Sequence, residues 1–267
     1  MLHLKSLTLV KLGGSVITQK QVSPPTVNMM AISRIAKELR THQGPLIVVL
    51  GGGAHGHQAA HIHGFGDSST PLEKLLAGIP SIRHNMTLLS LEVEQALNAN
   101  GIPSVVIPPF SSVSMHDGEI MNFPIDIIKW TLKAHCAVII HGDVCLDDVQ
   151  GASILSGDTI SVYLAKALDI QRVFIGTDVD GIFEEDPRVN PNATLVSVID
   201  SSNKDSVLAG TGTSAATDVT GGMARKAQEL FELANQTTQV AIFNLTVPGR
   251  LTALLADKQT TCTRIEC

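Results

Sequence analysis

The chain has 267 residues, 16% of them charged, and a formal net charge of -6. That length buries a large core and fits one α/β unit, while the charge balance argues against the basic field that nucleic-acid binding needs. The four cysteines, Cys136, Cys145, Cys262 and Cys267, include no CxxC pair, which argues against zinc and against a secreted disulfide framework. No apolar run approaches the ~18 residues of a membrane span, so the expected setting is the cytoplasm, with neither membrane nor nucleic acid as partner.

The run Leu7-Thr8-Leu9-Val10-Lys11-Leu12 predicts a strand that ends in Gly13-Gly14-Ser15. Lys20 follows nine residues after Lys11, and two lysines spaced across a glycine turn can both point into one phosphate site; a solvated Lys20 is the plainer alternative. Ile32, Ile35, Ala36 and Leu39 recur at helical spacing, and Gly44-Pro45 closes that helix. The chain then reaches its most informative stretch, Leu46-Ile47-Val48-Val49-Leu50 running into Gly51-Gly52-Gly53. Five aliphatic residues followed by three glycines describe a buried strand and a turn that a ligand approaches closely, and such a turn cradles phosphate.

Gly51-x-Gly53-x-x-Gly56 formally matches a dinucleotide fingerprint, which would make the chain an NAD-dependent oxidoreductase. That fingerprint requires a second strand with an acidic end about 20 residues on, and the sequence there, Gly64 to Pro71, is a loop. His57 and His61, at i and i+4, could share a metal, but no third ligand stands near in sequence. A hydrogen bond from His57 to a phosphate fits the turn better, and no metal site is expected.

Met86, Leu89, Val93, Ala96 and Leu97 predict a second amphipathic helix ending at Asn100-Gly101, with residues 72–90 covering the site. A short strand, Ser104 to Ile107, stops at Pro108-Pro109; Asp117-Gly118 is a hairpin turn, and Ile127 to Leu132 is helical. Ala137 to Ile140 is the third buried strand, leaving at His141-Gly142-Asp143. Cys136 and Cys145 flank it as packed thiols. Asp158 stands before a helix carrying Ile160, Leu164, Ala167 and Leu168, either as its N-cap or as the residue that orients phosphate-binding lysines. A fourth strand leaves at Gly176-Thr177-Asp178-Val179-Asp180-Gly181. Residues 190–217 read as surface loops. Asp218 to Met223 opens a helix with Lys226 near its start, where a lysine suits a bound anion better than the helix dipole. A last strand, Val240 to Asn244, and Pro248-Gly249 complete the alternation.

There is no Gly-x4-Gly-Lys-Ser/Thr loop and no protein-kinase motif set. Five segments in order do resemble the amino acid kinase family over essentially the whole chain: Lys11 to Ser15, Gly51 to Gly53, Ser156-Gly157-Asp158, Thr177 to Gly181, and Asp218 to Lys226. Within it, the glycine turn with His57, Pro108 to Ser111, His141 to Asp143 and Ser153 to Asp158 are most similar to isopentenyl phosphate kinases, and fosfomycin kinases are similar too. The resemblance implies one domain over 1–267: an open, mainly parallel sheet sandwiched between helices, with the N-terminal part binding the acceptor and the C-terminal part the nucleotide. It also implies ATP, Mg2+ and a homodimer.

By the same resemblance, Lys11, Gly13, Gly14, Ser15, Gly53, Gly222 and Lys226 bind ATP phosphates, and Asp178 and Asp180 lie nearer the nucleoside. Gly52, His57 and Gly157 hold an acceptor phosphate or phosphonate, Lys20 meets the transferring phosphoryl group, and Asp158 positions the lysines. Two positions depart from the pattern: His55 replaces an aromatic residue and Gln58 a proline. With 3% aromatic residues and Arg83-His84-Asn85 in the cover, the acceptor pocket reads as more polar than a prenyl chain needs, which keeps the phosphonate acceptor open. A nucleotide-sensing regulatory protein on the same fold is the remaining alternative.

Overall fold

The computed structural model describes residues 7–19, 26–67, 69–185, 187, 189–211, 230, 231, 233 and 238–266. Four continuous apolar runs become central parallel strands, β1 (Thr8–Leu12), β4 (Leu46–Leu50), β8 (Ala137–His141) and β11 (Arg172–Thr177). Their order in an eight-stranded sheet is β12-β14-β13-β11-β1-β4-β8-β5, with β5 Ser104–Val106, β12 Val198–Ile199, β13 Gln239–Asn244 and β14 Thr263–Ile265. Every pair in it is parallel except β13 with β14.

Burial on both faces explains the runs. Leu9, Ile47, Val49, Val138, Ile140, Val173 and Ile175 enter one core cluster, while Val10, Leu12, Val48, Leu50, Ile139 and Phe174 enter the other. Helices α5 (Ile125–Lys133) and α6 (Gly157–Ala167) cover the first face. The second is covered by α2 (Met29–Leu39), α4 (Leu72–Ala99) and a short α8 (Arg250–Leu255). The expected periodic residues of α2, Ile32, Ile35, Ala36 and Leu39, are all buried there, as are Met86, Leu89, Val93 and Leu97 of α4. A three-layer α/β/α sandwich results.

A second, four-stranded sheet, ordered β10-β9-β6-β7, stands beside the first (β6 Ser114–His116, β7 Glu119–Asn122, β9 Asp143–Asp147, β10 Gly151–Leu155). Asp117 and Gly118, at φ of 49° and 80°, form the expected turn of its β6–β7 hairpin. Its anchor is the buried carboxylate of Asp147. That group accepts from the N–H groups of Asp117, Gly118, Val149 and Gln150 and from the Ser153 hydroxyl, so one side chain closes two hairpin turns.

Three expectations need correction. Residues 190–217 are not loops throughout, since they include β12 and α7 (Lys204–Thr211). The alternation does not end at Pro248-Gly249: α8 follows, and β14 returns antiparallel to β13. Asp158 is not an N-cap. Ser156 caps α6, its hydroxyl accepting from Thr159 N at 3.0 Å, and Asp158 lies inside the first turn.

Candidate active site

The turns leaving β1, β4, β10 and β11 converge at the carboxyl edge of the main sheet, the usual ligand position in such sheets. They meet backbone to backbone. A Cβ on Gly13 would stand 2.6 Å from Gly176 O, one on Gly51 2.8 Å from Gly14 N, and one on Gly157 3.0 Å from Leu50 O; one on Gly14 would strike Gly53 N and Cα. Gly53 also has φ +51°, which favours glycine. Thr18 joins two of these turns, donating to Gly14 O at 2.7 Å and accepting from Ala54 N at 3.0 Å. Sequence reading missed Thr18, because nothing local marks a hydroxyl that bridges residues 14 and 54.

Lys11 points from β1 toward α6, and its ammonium reaches Asp158 Oδ1 at 2.7 Å. Both side chains are largely buried. Because Ser156 supplies the cap, the Asp158 carboxylate is available to orient this lysine beside the glycine turns. Ser15 stands in the short helix α1 (Gly14–Ile17). Gly52 precedes α3 (Gly53–Ile62), whose N-terminal N–H groups suit an anion. His57 is exposed in the second turn of α3. Among the described residues no group of three or more His, Cys, Asp or Glu could hold a metal ion. The described residues between α3 and α4 carry no strand, so the context of a dinucleotide fingerprint is missing.

Asp178 and Asp180 follow β11. Asp180 is engaged within the protein, pairing with Arg250 at 2.6 Å and accepting from Asn244 at 3.0 Å, and these bonds, led by the guanidinium's, hold its carboxyl below the usual range. It therefore shapes the loop. Lys20, Gly222 and Lys226 lie outside the described residues.

The polar wall expected for the acceptor is not assembled. Arg83 is taken up by a buried ion pair with Asp143 and lies over the Phe110 ring, 5.4 Å from its centroid. Asn85 donates to His55 O at 3.2 Å, and His84 is exposed. His55 is buried, which depresses its basicity, and its Nδ1 has no partner.

This sequence matches the amino acid kinase family over residues 6–244. The chain belongs to that family. A similar relative is an isopentenyl phosphate kinase of Methanothermobacter thermautotrophicus, 34% identical, with 97% of this chain and 98% of the relative covered. Another, from Methanocaldococcus jannaschii, is 33% identical, covering 82% of this chain and 85% of its own length. A solved isopentenyl phosphate kinase structure superposes with TM-score 0.84 at 30% identity, over 97% of this chain and 99% of that one. In the structure Lys11, Gly13, Gly14, Gly53 and Asp158 stand together at the carboxyl edge of the sheet.

Proposed function

We propose that this amino acid kinase transfers the γ-phosphoryl group of ATP to the phosphate of isopentenyl phosphate. A glycine cradle joined to a buried lysine carries the reading, in a chain whose relatives over nearly its whole length are isopentenyl phosphate kinases. Phosphoryl transfer asks for alignment and charge neutralisation more than for a covalent participant. Lys11, Gly13, Gly14, Ser15 and Gly53, with Gly222 and Lys226, bind ATP phosphates in this reading, and the loop of Asp178 and Asp180 receives the nucleoside. Gly52, His57 and Gly157 hold the acceptor phosphate, Lys20 meets the transferring group, and Asp158 aims Lys11. Bound with ATP, Mg2+ would neutralise phosphate charge beside Lys11 and the glycine turns. One domain over 1–267 acts in the cytoplasm, where ATP is supplied, its N-terminal part on the acceptor and its C-terminal part on the nucleotide.

The partner we propose is a second copy. Every exposed residue of α4 from Leu76 to Gln95 is uncharged or histidine, including Leu76, Leu88 and Leu91. Two molecules of net charge -6 approach with least repulsion along such a face. Strand addition at β5 is closed off, because Asn98 pairs with both N–H and C=O of Ser104 and Glu94 accepts from Val106 N. Leu88→Glu should then yield a monomer by light scattering, and an unchanged mass would remove this face.

The acceptor assay decides the main reading. Coupled ADP release should be strong with isopentenyl phosphate and weak with fosfomycin, because a prenyl tail gains about 0.8 kcal/mol per buried methylene. A strong fosfomycin preference would overturn it. The relatives and the engaged Arg83 lend the phosphonate acceptor no support.

A further inference from the structure

Pro248-Gly249 and the short helix after it are held by two charged residues of α2. Ile32, Ile35, Ala36 and Leu39 turn the inner face of α2 to the core. Arg34 and Glu38, at i and i+4, stand on the flank that meets α8 and form an ion pair at 2.5 Å. Glu38 is buried, and its second carboxylate oxygen accepts from Gly249 N and Thr252 N, each at 3.2 Å, and from the Thr252 hydroxyl at 3.3 Å. It thereby serves the N–H groups that open α8. The Arg34 guanidinium also donates to Leu245 O at 2.5 Å. Two residues of α2 thus hold both ends of the β13–α8 turn, 211 positions later in the chain.

The same turn reaches the candidate site. Leu245 is fully buried, and its N–H donates to Thr177 O at 2.8 Å. Its side chain packs on Gly176, where a Cβ would stand 2.7 Å from Leu245 Cδ2 and 3.0 Å from Lys11 O. Gly176 O in turn lies against Gly13. At the ends of the turn, Asn244 and Arg250 both donate to Asp180. We infer that Arg34 and Glu38 are positioning residues for ATP: by fixing the β13–α8 turn they set Gly176 against the Gly13 turn and Arg250 against Asp180, acting through that turn rather than on the nucleotide. The inference rests on the reading above that ATP phosphates lie at Lys11 and Gly13 and the nucleoside at the loop of Asp178 and Asp180; it does not depend on the acceptor. A pair that only stapled α2 to α8 would add stability and leave ATP affinity alone.

Arg34 and Glu38 also line, with Met30, Lys37 and Pro248, an open groove of about 660 Å3 between α2 and α8, so a small cation can reach the space that Arg34→Ala leaves. The test uses the full chain as wild type, Arg34→Ala, Glu38→Gln and Lys11→Ala. ATP affinity is measured by calorimetric titration without acceptor, and the KM values for ATP and isopentenyl phosphate by coupled ADP release. We expect Arg34→Ala to weaken ATP about tenfold while the isopentenyl phosphate KM stays within about twofold. Millimolar methylguanidinium should restore most of that loss. Glu38→Gln, which keeps an oxygen for Gly249 and Thr252, should weaken ATP by about threefold. Variants at both positions that bind ATP as wild type does, or whose two KM values rise in step, overturn the inference; so does a loss in Arg34→Ala that methylguanidinium leaves untouched. If Arg34→Ala does not fold, Glu38→Gln carries the same comparison. Wild-type ATP affinity in Lys11→Ala would overturn the ATP site itself, and this inference with it. Wild type that turns over no isopentenyl phosphate overturns the acceptor reading alone, and the ATP titrations still decide this inference.

Discussion

At the carboxyl edge of the main sheet neighbouring turns meet backbone to backbone, Gly13 on Gly176, Gly14 on Gly51 and Gly53, Gly157 on Leu50, with the Thr18 hydroxyl as a bridge between two of them. The second sheet is held instead by side chains, Asp147 with five donors and Asp143 with Arg83. Under the proposed function the contrast fits what each region would meet. A phosphate is the same group on any substrate, and backbone N–H groups at turns and helix ends serve it without side chains. A carbon chain differs in length and shape from one acceptor to the next, so a wall for it would be set by side chains and the bonds that place them. The first region should tolerate no added carbon. The second should yield by degrees.

The largest expected effect belongs to Gly14→Ala. Its Cβ would strike the backbone of Gly53, and since neither turn can retreat without moving its strand, the loss should be on the order of 4 kcal/mol or more. Thermal denaturation and ATP binding should fail together. A folded variant with a wild-type ATP KM would break the comparison at its first term.

Asp147→Ala should be milder and confined to the second sheet. It leaves buried N–H groups at two turns without an acceptor, at a cost of about 2–4 kcal/mol, while the ATP KM stays near wild type. Burial alone would raise this carboxyl; the N–H groups of Gln150, Gly118 and Val149 overcome that and bring it to about 2. The stability it contributes is therefore complete above the ordinary carboxylate value and is lost as pH falls through that value toward 2. The wild-type melting temperature should drop over that range, and the drop should be smaller in Asp147→Asn. Equal acid sensitivity in the two proteins would show that Asp147 does not anchor the sheet.

The same contrast explains what could be read in advance. The glycine turns were legible because a glycine run after five aliphatics is a local signal, and α2 and α4 were legible because their buried residues repeat every three or four positions. Asp158 was half legible: Ser156 and Asp158 are both good caps, and only the structure shows that Ser156 takes Thr159 N and leaves the carboxylate for Lys11. The second sheet was largely hidden, because β6 and β7 have only 3 and 4 residues and Asp147 gathers donors from a hairpin 30 residues earlier. Arg83 was read as a pocket cation since no local pattern pairs it with a residue 60 positions on. Short edge elements such as β12 and β14 are fixed by their neighbours rather than by their own composition.

The smallest effect is the most discriminating one, because it separates two buried groups whose pH dependences oppose each other. His141 titrates near 4 in the folded chain, below its ordinary 6.5, because burial disfavours its charged form. As pH falls from 6.5 toward 4 the unfolded chain takes up the proton first, so His141 costs stability in that window. Asp143 titrates near 6, above its ordinary 3.8, again through burial. Over nearly the same window the folded chain takes up that proton first, so Asp143 adds stability as pH falls. The two contributions largely cancel in wild type. His141→Gln removes one of them, and the variant should gain stability relative to wild type between pH 6 and pH 4, on the order of 1–2 kcal/mol by chemical denaturation. A constant difference across that window would mean that the junction beside Gly142 is open to water, and the side-chain half of the comparison would lose its buried core.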